Sequence, residues 1–448
     1  MRVRRVRRVA PALALTLSAL VLAACGGGSD SDDDGGGSGA SGGSAGKTIT
    51  YWASNQGTSI EHDKQVLKPE LDKFTQRTGI KVELEVVPWD DLLNRILAAT
   101  TSGKGPDILN IGNTWSASLQ ATDAFVPIDD AVLAKVGGKD RFLPTPYAAT
   151  GAEGKPPMGL PVYSSSYALY YNKKIFREAG VQPPKTWEEM AEVGRKLSTD
   201  GRWGLALEGG SYTEGVHHAF TFGKQYGAEI FTKDGKPAFN SPQMVQGVKR
   251  YVDLLAKDKI VNPSNAEYSQ GTQSLKDFAT GKSAMLMWQA AQGSLVSNGM
   301  NPDDIGVAPI PFPASAPAGA PRINSMVGGI NIAVFKDSDA KDAAFEFMGF
   351  MTSAETQKAL NKAYGSLPSV KDAYDDPAFQ TEGVKVFQQA LAETAAPLPQ
   401  VPAESQFETL VGNAVKKLIA DAASGKEITD AAVKSALDEA QEKMVAAG

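Results

Sequence analysis

Cysteine is nearly absent from this sequence: Cys25 is the single one in 448 residues. No disulfide can form within the chain, and a cysteine-based metal site lacks its second ligand. Histidine is almost as scarce. His62, His217 and His218 do not fall at metal-ligand spacing, and the adjacent pair reads as surface or cleft residues rather than ligands. Phosphate-binding glycines are missing too. Gly281-Lys282-Ser283 ends like a phosphate loop, but Lys276 stands where the first glycine is required. The acid pairs Asp90-Asp91, Asp129-Asp130, Asp303-Asp304 and Asp375-Asp376 are neighbours in sequence. A glycosidase needs two carboxylates facing each other across a bond, so helix caps and solvated turns explain these pairs more simply. No catalytic constellation emerges, and no cofactor or metal is expected. No enzyme class is therefore expected from these residues.

What is present begins with a leader. Arg2, Arg4, Arg5, Arg7 and Arg8 form a basic head before the uncharged apolar run Val9–Ala24, which has 16 residues. A membrane helix needs roughly 20, so the segment 1–24 reads as a secretory signal peptide. Leu22-Ala23-Ala24-Cys25-Gly26 resembles the lipobox of bacterial lipoproteins, which makes Cys25 the expected lipidated residue. The paired arginines leave both the general secretory and the twin-arginine route open. Residues 26–46 are Gly, Ser, Asp and Ala and cannot bury enough surface to fold. With Cys25 they read as a flexible tether reaching about 25 Å. Two GxSxG matches inside it lack the strand and helix that a nucleophile elbow needs. Removing the five leader arginines leaves 40 basic against 51 acidic side chains, a net charge of −11, which argues against a nucleic-acid partner.

The roughly 400 residues that follow are enough for two cored lobes. Ile49, Tyr51 and Ala53 alternate as in a strand, and Val66, Leu67, Leu71 and Phe74 follow at helical spacing before Gly79. Ile80, Val82, Leu84 and Val86 predict a second strand. Asp90 is the expected cap of a helix carrying Leu92, Leu93, Ile96 and Leu97, and Asp107–Ile111 a third strand. This order predicts a parallel sheet covered by helices. After the Gly/Pro-rich stretch 151–161 the pattern restarts with a strand at Tyr167–Asn172 and a Thr186/Glu189 capping box. A second Pro-rich break covers 309–321, followed by a strand at Ile330–Phe335, a helix at Ala340–Met351 and a mostly helical remainder.

Family signals are concentrated in residues 158–190. Met158-Gly159-Leu160-Pro161-Val162-Tyr163, then Ala168-Leu169-Tyr170-Tyr171-Asn172-Lys173-Lys174-Ile175-Phe176, then Pro183-Pro184-Lys185-Thr186-Trp187-Glu188-Glu189-Met190 together resemble the family 1 extracellular solute-binding proteins of ABC importers, especially their carbohydrate branch. Gly105-Pro106-Asp107-Ile108, Phe278–Met285 and Val327-Gly328-Gly329-Ile330-Asn331 agree in order. The resemblance implies an α/β, two-lobed periplasmic-binding-protein-like (type II) fold with a hinge and an interlobe ligand cleft. Lobe 1 is expected to combine 47–155 with 307–360, and lobe 2 to combine 156–306 with 361–448. It further implies a monomer that captures a mono- or oligosaccharide and docks on membrane permease subunits, here anchored through Cys25 to the outer face of the cytoplasmic membrane.

Carried over by position, the expected sugar contacts are Asn55 and Gln56, Trp89 and Asp90, Asn113 and Trp115, Tyr163, Tyr212 and Glu214, Gly329 and Asn331, and Phe407. Relatives commonly place a tryptophan near position 291, where this chain has Ala291. Trp288 and Gln289 are expected to substitute. Trp187 and Trp203 are expected in structural roles. Two other readings stay open: a binding protein of the same fold for a polyol phosphate or peptide, and an exported glycosidase or esterase.

Overall fold

Strand β1 (Thr48–Ser54) forms where the alternation predicts it, with Ile49, Tyr51 and Ala53 buried. The structure, a computed structural model, describes residues 46–447 apart from Thr58 and Asp200, and not the side chains of Asp90 and Ala447. The leader, Cys25 and the tether up to Ala45 lie outside the described residues. The helix Ile60–Thr78 opens on the Ser59 hydroxyl, which accepts from the His62 amide, and closes on Gly79 at φ 74°. β2 (Lys81–Val87) and β3 (Ile108–Gly112) run parallel to β1 on either side. The helix between them spans Trp89–Ser102 and follows Pro88 without a side-chain cap. Asp90 is therefore its second residue and not its cap.

β4 (Gly159–Ser165) is followed, after the single residue Ser166, by β5 (Tyr167–Asn172). Further along come β6 (Trp203–Ala206), β7 (Ser283–Gln289), β8 (Ile305–Ala308), β9 (Ser325–Met326), β10 (Gly328–Val334), β11 (Leu367–Pro368) and β12 (Ala395–Ala396). They build a six-stranded sheet in the order β11-β4-β10-β3-β1-β2, a four-stranded sheet β6-β7-β5-β8, and the pair β12-β9. The chain thus crosses between the larger sheets at Ser166, again between β8 and β10, and a third time after β11. Two of these crossings are tied to each other by β9 pairing with β12. Such a pair of linked crossings is a hinge.

The lobe boundaries differ from expectation. β4 lies in the six-stranded sheet, hydrogen-bonded to β10, because its residues are buried on both faces and need covered neighbours. The Gly/Pro-rich stretch 151–161 leads into that strand and does not cross between lobes. β8 belongs to the four-stranded sheet through β5, while Leu360, Tyr364, Val370 and Ala373 pack in the core of the six-stranded one.

Period-two alternation divides each sheet between two cores. On the larger sheet, Ile330, Ile332 and Val334 face Phe74 and Phe347, while Ala333 and Leu109 face Leu92 and Ile96. On the smaller, Tyr167, Leu169 and Met287 face the helices Trp187–Leu197, Tyr212–Gln225, Pro242–Ala256 and Glu404–Ala423, while Ala168, Tyr170 and Leu286 face Phe278 and Phe387. Thr186 caps its helix as predicted, accepting from the Glu189 amide at 3.2 Å, but the Glu189 carboxylate reaches past it to the Lys185 amide at 2.7 Å. Trp187 is fully buried, stacks on Phe222 at 4.2 Å between centroids and donates to Gln225 at 2.8 Å, so it is a core ring with its N–H satisfied. Helices Tyr212–Gln225 and Pro242–Ala256 cross at glycines. A Cβ on Gly247 would lie 2.4 Å from the Gly223 nitrogen.

Candidate functional site

The two larger sheets present their ends to each other. Asn55 follows β1, Trp89 follows β2 and Asn113–Trp115 follow β3, so these residues stand at the carboxyl ends of three parallel strands. That edge is where open α/β sheets bind ligands. Being antiparallel to β3, β10 begins there with Gly328, opposite Ser165 at the end of β4. One residue further, Tyr167 opens β5 directly across from Gln289 at the end of β7.

A continuous polar network runs between the lobes at this point. The Trp115 indole N–H donates to Glu408 Oε2 at 3.0 Å, and the Thr114 hydroxyl donates to the same oxygen at 3.3 Å. Glu408 lies on the helix Glu404–Ala423, whose Phe407, Val411 and Val415 are in the core of the four-stranded sheet. The other oxygen of Glu408 is 3.2 Å from His217 Nε2, and His217 Nδ1 is 2.8 Å from the Tyr167 hydroxyl. That hydroxyl lies 2.9 and 3.0 Å from the two Glu214 oxygens and accepts from Gln289 Nε2 at 3.0 Å. Trp89 meets Trp115 edge to face at 5.5 Å. Five expected residues, Trp89, Trp115, Glu214, Gln289 and Asn113, therefore come together here. Asn113 serves the hinge, its amide donating to the Val327 carbonyl at 2.7 Å.

Burial sets the electrostatics. Glu214 is 8% exposed, and loss of water raises its carboxyl from an ordinary 4.5 to about 7. The neighbouring His217 and the Tyr167 hydrogen bond oppose that rise, and Glu208 and Glu408 add to it. Glu404, fully buried one helical turn before Glu408, is held well above the usual carboxylate range by desolvation and then by the Glu408 charge. His218 is pushed down to about 3 by burial and by His217, and stays neutral.

Asn55 and Gln56 form a second group around Asp63. The Asp63 carboxylate accepts from the Asn55 amide, from the Gln56 N–H at 3.1 Å and from the Gly57 N–H at 2.7 Å. Tyr163 is buried 5.6 Å edge to face from Tyr364, and burial first, with the Asp63 charge adding to it, raises both phenols well above their ordinary value. Trp288 and Tyr212 are half-buried; the Trp288 ring lies 3.1 Å from where a Cβ would stand on Gly271.

Three expected contacts are taken up by the fold. Phe407 is fully buried against Phe239 at 5.3 Å. Asn331 is buried between Ser116 and the Ala149 carbonyl, donating to each at 2.9 Å. Gly329 allows β10 to approach β4, since a Cβ there would lie 2.5 Å from the Tyr163 carbonyl oxygen. The side chain of Asp90 lies outside the described parts. Sequence reasoning passed over Tyr167, Glu404 and Glu408 and set His217 aside. The i, i+4 spacing of Glu404 and Glu408 on one helix face, beside the buried Phe407, was the available signal.

The sequence profile of the bacterial extracellular solute-binding proteins matches residues 57–358, more than half of the chain. The chain belongs to that family. This solute-binding protein is 27% identical over 349 residues to the sn-glycerol-3-phosphate-binding periplasmic protein UgpB of Escherichia coli K12, covering 73% of this chain and 75% of that one. Its fold is similar to that of maltose-bound MalE3 of T. maritima, with a TM-score of 0.76 at 22% identity over 90% of this chain and 100% of that one. An ABC transporter solute-binding protein of Agrobacterium radiobacter K84, solved with ribitol, gives 0.75 at 25% identity over 90% and 99%. The fold is thus the two-lobed type II binding-protein fold with its interlobe cleft.

Proposed function

We propose that this protein is the capture subunit of an ABC importer and that its interlobe cleft takes a sugar or polyol. The observation that carries this is the Trp89–Trp115 pair standing beside Glu408, Glu214, Tyr167 and Gln289 at the meeting edge of the two sheets. Indole faces suit the apolar C–H faces of a sugar ring, and carboxylates and amides suit its rim of hydroxyls. The maltose-bound and ribitol-bound relatives support the same ligand class. A glycerol phosphate, as named for UgpB, is the second reading. It is disfavoured because no lysine or arginine pairs with any of the network's carboxylates among the described residues, and a phosphate dianion needs basic donors.

On this reading the protein binds without transforming its ligand. It is exported by the leader 1–24, tethered by residues 25–46 through lipid on Cys25, and hands its cargo to the permease as a monomer. A thermal-shift screen over sugars, polyols and glycerol phosphate tests it. A true ligand at 100 times its Kd stabilises the folded state by about 2.7 kcal/mol and is recovered intact after denaturation. Stabilisation by glycerol phosphate alone, or recovery of oligosaccharide fragments, would overturn the sugar-capture reading.

A further inference from the structure

The acids at the lobe contact are poorly balanced by cations. Glu208, Glu214, Glu404 and Glu408 are each no more than 8% exposed. Among the described residues, the basic side chains that meet them are two histidines: His217 with Glu214 and Glu408, and His218 with Glu214. Of the two, His218 is held neutral. Glu214 and Glu408 are at least hydrogen-bonded. Glu404 is not: both of its oxygens are buried without a donor, one helical turn from Glu408 on the same helix face. Glu208 differs: the Ser274 amide and hydroxyl hold one of its oxygens at 2.9 and 2.7 Å, and the Gly271 and Gln270 amides also bond to the carboxylate.

A buried carboxylate without a donor or countercharge is unfavourable, and proteins retain such groups where a ligand completes them. Neutral hydroxyls supply donors but do not displace the protons that burial keeps on Glu214 and Glu404. No group of three or more His, Cys, Asp and Glu among the described residues is placed to hold a metal ion. What remains is a cation that brings its own hydrogen-bond donors. Resting on the sugar-capture reading above, we propose that the ligand carries a protonated amine, as an amino sugar or aminocyclitol does. The ammonium is received at Glu404, Glu408 and Glu214 while the ring lies against Trp89 and Trp115.

The charge balance has a measurable consequence. Glu214 and Glu404 hold protons more tightly than ordinary carboxyls, and an ammonium placed beside them, facing His217, His218, Tyr167 and Tyr251, favours their ionised forms. Binding an amine should release protons, and amine affinity should rise from about pH 5.5 to about pH 7.

Isothermal calorimetry on the full folded protein, in two buffers of different ionisation enthalpy, tests the proposal. The probes are glucosamine, N-acetylglucosamine and glucose, each as monomer and as short β-1,4 oligomers. The amine forms should bind at least about tenfold more tightly than both neutral forms and release protons to the buffer. The Glu404→Gln variant should lose that preference while its unliganded melting temperature holds or rises, which separates ligand recognition from folding. Neutral sugars binding as tightly as amines, or Glu404→Gln keeping the preference, would overturn the amine proposal and leave sugar capture standing. Binding by neither class would overturn both.

Discussion

Glu214 makes the unliganded protein less stable as the solution turns from acid to neutral. Its folded-state carboxyl titrates at about 7 against an ordinary 4.5, so between those values the folded chain keeps a proton that the unfolded chain has lost. Stability therefore falls as pH rises through that window and levels off above it. Each pH step is worth about 1.4 kcal/mol, so the group removes about 3 kcal/mol between pH 4.5 and pH 7. Glu404 acts in the same direction. Exposed acids such as Asp376 and Asp421, held low by Lys362 and by Lys417 and Lys426, lose their contribution only at more acid pH. Glu214→Gln keeps an acceptor for the Tyr167 hydroxyl, cannot ionise, and should flatten most of the slope. Urea unfolding at about half-unit pH intervals from roughly 5 to 8 measures it. Equal or greater wild-type stability at pH 7.5 than at 5.5, or an unchanged slope in the variant, would refute the reasoning.

Trp288→Ala should weaken ligand binding by roughly 1–3 kcal/mol with little change in unliganded stability, because the ring is half-buried; titration calorimetry and melting curves separate the two. Trp115→Ala should lower both, since Trp115 is 4% exposed and joins the lobes through Glu408. Gly329→Ala should cost about 2–4 kcal/mol in denaturant unfolding, because the new Cβ collides with the Tyr163 carbonyl. Cys25→Ala should release the protein from membranes or stall its processing, which fractionation of expressing cells reads; normal cutting with retention at the membrane would sink the anchor.

Much of the fold was legible because it is local. The alternation at Ile49, Tyr51 and Ala53, the helix closed by Gly79 and the Thr186 cap need only neighbours in sequence, and each forms as predicted. The lobe boundary was not, because a Gly/Pro-rich stretch marks a loop without saying which sheet the next strand joins. β4 is placed by pairing with β10, more than 160 residues away. The site divides in the same manner. Asn55, Trp89, Asn113 and Trp115 follow strands, so their place at one sheet edge could be read from position in the chain. Tyr163, Asn331 and Phe407 lie in matching segments but turn into cores, and segment position does not reveal facing.

The residues that sequence reasoning missed are also those through which the lobes touch, and one physical reason accounts for both facts. Glu408 is an ordinary helical glutamate until the helix Glu404–Ala423 returns from the C-terminal region to face Trp115, 293 positions earlier. His217 looks like half of an unremarkable pair until it lies between Glu408 and Tyr167. Each gains its chemistry from burial between elements that the chain brings together late, after the third crossing. A cleft built in this manner couples capture to closure: opening the lobes must break the bonds from Trp115 and Thr114 to Glu408. In the closed form Glu404 still lacks donors, and a ligand that supplies them there adds to the interactions that favour closure. On the amine proposal, the differential interaction that such closure requires comes from the acid cluster itself.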